Sequence, residues 1–362
     1  MSLDALRGFD MLFIMGFAGL VTAICSLFPG NFSDVIAGQM SHTQWDGLTH
    51  HDTIFPLFIF VAGVTFPFSL AKQRTNGRPI SRIVLRIVKR GAVLILLGII
   101  YNNFPKLDFA NMRYASVLAR IGLAWMFASL IYLFCGRKWS AIITAAILVG
   151  YSLLLYFVRA PDAPIGCSSL SFDGNIVGWV DRQILPGRLF RGTFDPEGIL
   201  STIPAIATAL LGVLTGDYLK NDSFHHTRGE KALWMAVSSA LLIAIGIVWS
   251  HWIPVNKNLW SSSFACVVAG YSLGMLTLFY YLIDVKGWKR WSLFFNVIGL
   301  NSITIYIAQK IIGFQKISDF FLTKVASMCP DAWALVINRT GYVIVCWLFL
   351  YFLYKQKIFL KV

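Results

Sequence analysis

Ten stretches of the chain stay apolar long enough to cross a bilayer, about 20 residues each, and the polar residues gather between them. They lie near 9–28, 53–71, 80–101, 115–135, 139–158, 199–219, 232–252, 260–284, 291–312 and 335–354. No soluble domain, low-complexity tract or internal repeat interrupts the series, so the pattern predicts one all-α polytopic membrane domain over 1–362, a bundle of about ten transmembrane helices. The connections alternate in cation content. Lys72, Arg74, Arg78 and Arg82 fall in one, Arg137 and Lys138 in the next of the series, then Lys220, Arg228 and Lys231, then Lys286, Lys289 and Arg290, then Lys355, Lys357 and Lys361. Cation-rich connections stay in the cytoplasm, which places both termini there and turns 29–52, 102–114, 159–198, 253–259 and 313–334 outward. Within the longest outer connection, Asn175 to Leu185 reads as a short helix lying flat at the interface.

Composition agrees with the pattern: 57% of the 362 residues are hydrophobic and 13% charged, more apolar than a soluble core requires. The formal charge of +14 could suggest nucleic acid, but its cations sit in short clusters between apolar runs, the distribution of an orientation signal. Membrane lipid is therefore the expected partner and nucleic acid is not. The first apolar run has no A-x-A-like cleavage site and reads as a retained span. Cys25, Cys135, Cys167, Cys266, Cys329 and Cys346 show no metal-like spacing, and most sit in apolar runs.

Between Arg7 and Lys72 there is no Lys or Arg at all, yet that stretch holds His42, His50, His51, Asp46 and Asp52. Histidine takes and returns protons near neutral pH, and a carboxylate beside it orients the ring. A solvated polar loop is the plainer reading, and a metal site is not expected, because adjacent His50 and His51 offer no i, i+4 ligand pair. Asp195 and Glu197 stand in Gly192-Thr193-Phe194-Asp195-Pro196-Glu197-Gly198, where they bind an acceptor or cap a helix beginning there. Asn256, Lys257, Asn258 and Trp260 offer amides, a cation and an indole to a sugar, or simply a tight turn. On the inner side Arg82, Arg86, Lys89 and Arg90 share one helical face, suited to cofactor phosphates or to anionic lipid. Arg120, Asn296, Asn301, Ser302 and Gln309 are polar groups within spans, where they face a cavity or bond helix to helix.

Several of these stretches resemble heparan-alpha-glucosaminide N-acetyltransferase and its bacterial relatives: Ser2 to Gly8, His42 to Pro56, Gly192 to Leu200, Pro254 to Trp260, Asp284 to Gly287 and Gly299 to Ser302, in order along nearly the whole chain. The resemblance implies a transmembrane acyltransferase that takes acetyl-CoA from the cytoplasm and acetylates the amine of a glucosamine-type sugar on the other side. It places the family's active-site histidine on His42, just before Trp45-Asp46-Gly47-Leu48, with Asp46 or Asp52 as orienting carboxylate. It further implies Trp45, Asp195, Glu197, Asn256, Asn258 and Trp260 toward the acceptor, and Arg82, Arg86, Lys89, Arg90, Arg120, Asn301 and Ser302 toward acetyl-CoA, with no metal. One departure stands out: an asparagine paired with that histidine in the lysosomal enzymes falls on Ala18, and the loop from Leu27 to Met40 is longer here.

Acetyl transfer to an amine needs a base, an oxyanion stabiliser and a dry passage for the pantetheine arm through about half of the ~30 Å hydrocarbon core. An outer-loop histidine, an inner cationic face and polar groups in the spans meet those needs. The implied location is a bacterial inner membrane with the active-site loop toward the periplasm. O-acetylation of an envelope glycan and secondary transport of a sugar are the rival readings, although transporters often carry repeated halves that are absent here. Acetyl-histidine or direct transfer, and a homodimer or a monomer, both stay open.

Overall fold

The computed structural model describes residues 1–105, 108, 111–221 and 226–360, so Lys361 lies outside the described residues. Among them there is no β-strand. In chain order the helices are α1 (Ser2–Leu12), a π-helical turn (Phe13–Phe17), α2 (Ala18–Cys25), α3 (Asn31–Gln39), α4 (His50–Thr75), α5 (Ile80–Asn103) and α6 (Val117–Phe157). Then follow α7 (Ile176–Ile184), α8 (Thr202–Lys220), α9 (Arg228–Trp249), α10 (Ser262–Tyr280), a second π-helical turn (Tyr281–Val285), α11 (Ser292–Gly299), α12 (Ser302–Ile311), α13 (Phe314–Ala326) and α14 (Asp331–Lys355).

Among the described residues, seven segments are long and apolar enough to cross a membrane, and eight if α11 and α12, bent by 65°, count as one broken span. The expected count of about ten differs for two reasons. α5 is 24 residues long but carries four cations in its first half, and it is not among the seven. The runs 115–135 and 139–158 form one 41-residue element, α6. At ~1.5 Å per residue such a helix would measure about 60 Å, twice a hydrocarbon core. It is not straight: Gly136, at φ 71° and ψ −174°, interrupts it in a conformation that L-residues with a Cβ rarely adopt.

The chain divides into two compact units. Unit 1 comprises Met1–Thr43, Thr49–Ile54 and Met275–Lys361. In it α1 crosses α11 so closely that a Cβ on Gly8 would lie 1.8 Å from the carbonyl oxygen of Phe295, and one on Gly299 would lie 1.8 Å from that of Asp4. Small residues permit such approach, and dispersion between backbones replaces the hydrophobic drive that lipid cannot supply. Around the crossing, the rings of Phe9, Phe279, Trp291 and Phe295 meet edge to face or tilted.

Unit 2 comprises Gln44–Leu48 and Phe55–Gly274. α5 buries Ile83, Ile87, Gly91, Leu94 and Gly98, a stripe of three- and four-residue steps that sets one helical face against α6. Ser116 caps α6, its hydroxyl accepting from the Ala119 N–H at 3.0 Å. α7 is helical as expected, capped by Asn175 on the Gly178 N–H at 2.7 Å, and it buries Ile176, Val177 and Asp181 against protein.

Gly8→Ala and Gly299→Ala should each lower the thermal unfolding temperature in detergent, by an overpacking cost of about 1–3 kcal/mol. Gly150→Ala, at a helical position with nothing within 4 Å, should leave it unchanged or slightly raised.

Candidate active site

Asp52 sits in the first turn of α4, where the helix dipole favours a negative charge, and its side chain is wholly buried. His42 Nδ1 lies 2.7 Å from Asp52 Oδ1. The other oxygen, Oδ2, accepts from the Thr43 N–H at 3.2 Å and hydroxyl at 3.0 Å, and from the Thr49 hydroxyl at 3.0 Å. The Thr49 hydroxyl is also 2.6 Å from the Ser41 carbonyl, which ties the two ends of the loop together. These donors replace the water that burial removes from the carboxyl group. It anchors the Nδ1 side of the His42 ring, whose side chain is 54% exposed. The His51 ring lies 4.5 Å from that of His42, and the His50 ring packs 4.5 Å from Phe13. All of these residues belong to unit 1.

Asp46, the other expected orienting carboxylate, is engaged elsewhere: its Oδ1 accepts from Asn256 Nδ2 at 3.0 Å. The neighbouring Gly47 N–H donates to the Val255 carbonyl at 2.8 Å, so Trp45-Asp46-Gly47 lies along Val255-Asn256 within unit 2. Trp45 donates from its indole to the Leu170 carbonyl at 3.0 Å and meets Phe172 and Phe194 edge-on.

The expected acceptor residues are mostly buried and bonded within the protein. Asn256 is buried and accepts from the Leu259 N–H at 2.9 Å, and Asn258 is also buried. Trp260 has no exposed surface: it donates to Thr208 at 3.2 Å and packs against Phe55 and Phe264. An indole sealed in the core cannot stack on a sugar, so the tight-turn reading holds for this segment. Asp195 does not begin a helix, because α8 starts at Thr202. Instead Arg113 grips it with two bonds, Nε to Oδ2 at 2.8 Å and a terminal nitrogen to Oδ1 at 2.7 Å, and also pairs with Glu197. Burial pushes the Arg113 guanidinium down, but these two acids outweigh it and its affinity for protons rises above the ordinary arginine value. Sequence reasoning missed Arg113. Two acids in one connection did signal a need for a counter-ion, and Arg113 lies in another connection.

Arg120 is equally internal: it reaches Ser201 and the Gly198 carbonyl, the latter at 3.3 Å, and lies 5.0 Å from the Trp260 ring. With Tyr114, Glu197 and apolar side chains of α5, α6 and α8 it lines a cavity of about 460 Å³. Arg82, Arg86 and Lys89 are exposed on α5, as a phosphate-binding face requires, whereas Arg90 is half-buried with its guanidinium 4.3 Å from the Trp125 ring. Asn301, in unit 1, marks the bend between α11 and α12 and donates to the Ile358 carbonyl at 3.1 Å; Ser302 opens α12. Asp181 of α7, unsuspected from sequence, accepts from the Ile199 N–H at 2.9 Å and occupies the space a Cβ on Gly198 would need. Burial pushes its carboxyl up to about 7, against the opposing effects of that N–H and of Arg120.

The family described as "Domain of unknown function (DUF5009)" matches residues 1–104, which hold α1 to α5 and the His42–Asp52 pair. Heparan-alpha-glucosaminide N-acetyltransferase of Mus musculus is 26% identical over 378 residues, covering 89% of this chain and 56% of that protein. Its Homo sapiens counterpart is 26% identical over 385 residues, covering 89% and 55%. The chain is a distant relative of these proteins and spans about half their length.

An acid whose folded-state pKa is raised supports the fold while neutral; that support is complete below the unfolded value, 3.8, and is lost as pH climbs through about 7. Asp181→Asn, which keeps the neutral shape, should therefore gain unfolding temperature relative to wild type as pH rises from about 4 to about 7. Thermal unfolding across that range measures it, and a difference that does not vary with pH would contradict the assignment.

Proposed function

From this distant kinship with heparan-alpha-glucosaminide N-acetyltransferase, we propose that the protein is a membrane-embedded acetyltransferase. It moves the acetyl group of cytoplasmic acetyl-CoA to the amine of a glucosamine-type sugar on the outer side. The observation that carries the reading is the His42–Asp52 pair, with Nδ1 held at 2.7 Å from a wholly buried carboxyl while the imidazole side chain stays half-exposed. His42 takes the amine proton as nitrogen bonds to the acetyl carbon and the carbon–sulfur bond breaks. Asp52 fixes the ring and stabilises its cationic form, the role that Asp46, bonded to Asn256, is not placed to fill.

The membrane arrangement belongs to the same proposal. Gly136 divides α6 into lengths of 19 and 21 residues, each close to one span. With α5 and the bent α11–α12 pair included, the series supports ten spans, both termini cytoplasmic and His42 outside, toward the periplasm of a bacterial inner membrane. Arg82, Arg86 and Lys89 then lie on the cytoplasmic side, where exposed cations on one helical face suit the phosphates of CoA. On the acceptor side Trp45 keeps its assignment, while Asn256, Asn258, Trp260, Asp195 and Glu197 hold the walls of unit 2.

Purified protein given labelled acetyl-CoA and a panel of amino sugars should yield N-acetylated product; label on a hydroxyl would make it an O-acetyltransferase, and no acetyl transfer at all would end the reading. His42→Ala should lower kcat by about 10²-fold or more, and Asp52→Asn by a comparable factor, with little change in acetyl-CoA binding. Turnover of folded His42→Ala within roughly threefold of wild type would remove the base from this position. Neutralising Arg82 and Arg86 should raise the KM for acetyl-CoA well above its effect on the sugar; an unchanged KM would leave those cations to lipid.

A further inference from the structure

Unit 1 buries one carboxyl group that the His42–Asp52 pair does not use. Asp10, on α1, is 3% exposed, its Oδ2 has no hydrogen-bond partner, and no ion pair among the described residues includes it. The other ionisable residues of α1, Asp4 and Arg7, are paired with each other at 3.1 Å. Of the elements packed on α1, α11 has no ionisable side chain, α12 carries Tyr306 and Lys310, and the end of α10 with its π-helical turn carries Tyr280, Tyr281 and Asp284; among the described residues no ion pair or hydrogen bond joins any of them to Asp10 Oδ2. Ionised acids inside membrane spans are costly, and where they persist they mark proton or ligand pathways.

The backbone beside Asp10 is interrupted. From Phe13 the helix opens into the π-helical turn, with Gly16 at φ 120°, a feature frequent at functional sites. Gln309 Nε2 approaches the Ile14 carbonyl at 3.5 Å and donates to the Tyr342 hydroxyl at 2.8 Å, so a polar side chain serves the broken turn. Phe13, three residues from Asp10 and on the same face of the helix, carries the His50 ring at 4.5 Å. Asp10 thus lies one turn along α1 from the histidine-bearing segment, and about 12 Å of helix from Ser2.

We propose that Asp10 is a proton-binding site inside the membrane-embedded part of unit 1, and that it is the acid that protonates the departing CoA thiolate. The second clause rests on the acetyltransferase reading; the first does not. A thiolate released among apolar side chains has no water to solvate it and needs a proton where it forms. CoA entering from the side of Ser2 would meet Asp10 before the outer loop. When the amine nitrogen bonds to the acetyl carbon, the sulfur leaves with the electron pair of the broken carbon–sulfur bond. The Asp10 O–H gives its proton to that sulfur while His42 holds the proton from the amine. Afterwards His42 releases one proton to water and Asp10 regains one, so none is consumed.

Dicyclohexylcarbodiimide, which adds to protonated carboxyls in apolar surroundings, tests the first clause on the full chain in detergent near pH 7.5. Peptide mass spectrometry should find the adduct at Asp10, and no adduct there in Asp10→Asn. Labelling at Asp10 only after denaturation would overturn the proton site, whether or not the protein proves to be an acetyltransferase. For the second clause, Asp10→Asn should lower kcat by about 10²-fold with KM for acetyl-CoA nearly unchanged, while Asp10→Glu recovers part of the rate. A packing role would instead leave Asn, the closer isostere, more active than Glu, and that order would overturn the acid role. An active wild type whose Asp10→Asn variant turns over within roughly threefold of it would do the same.

Discussion

A carboxylate taken out of water must be given donors or a counter-charge by the protein, or else keep its proton. Four buried acids meet that constraint in four ways, and much of the chain is arranged around them. Asp52 collects His42, Thr43 and Thr49. Asp195 takes a two-pronged bond from Arg113. Asp181 has one backbone N–H and a raised affinity for its proton. Asp10 has no ion pair among the described residues. The order runs from an acid bonded by three residues to one whose Oδ2 has no hydrogen-bond partner.

The arrangement at Asp52 matters most for chemistry. One carboxylate fixes the residue before the loop turn and the residue before the helix, so the histidine is oriented by the same bonds that fold its loop. Because the acid is buried and the imidazole half-exposed, the pair combines a carboxyl group in low dielectric with an accessible ring. Anchoring the acid in the first turn of α4 adds the helix dipole and the rigidity of a 26-residue helix. The Arg113 cluster does comparable work in unit 2, fixing the Asp195-Pro196-Glu197 turn ahead of α8.

The departures between sequence expectation and structure share a cause. Trp260, Asn256 and Arg120 looked like ligand-binding groups because polar and aromatic residues in a membrane protein are expensive and so invite a functional reading. Each is spent on protein partners: Trp260 on Thr208, Asn256 on Asp46 and Leu259, Arg120 on Ser201 and Gly198. Apart from Leu259, three residues from Asn256, the partners lie from 52 to 210 residues away in sequence, beyond what local pattern can pair. Span counting differed for a more local reason, since hydropathy treats α5 by its apolar half and cannot tell a break at Gly136 from a loop.

Sequence alone determined that the chain is helical and built for a membrane, where most of the long helices lie, and that one cation-free segment gathers His42, His50, His51 and Asp52. Those features follow from composition and period, which act residue by residue. Choosing Asp52 over Asp46, supplying Arg113 to Asp195 and Glu197, burying Trp260 and isolating Asp10 were decided only in three dimensions. Each depends on which groups exclude water from which, and exclusion of water is a property of packed neighbours that no single position in a sequence carries.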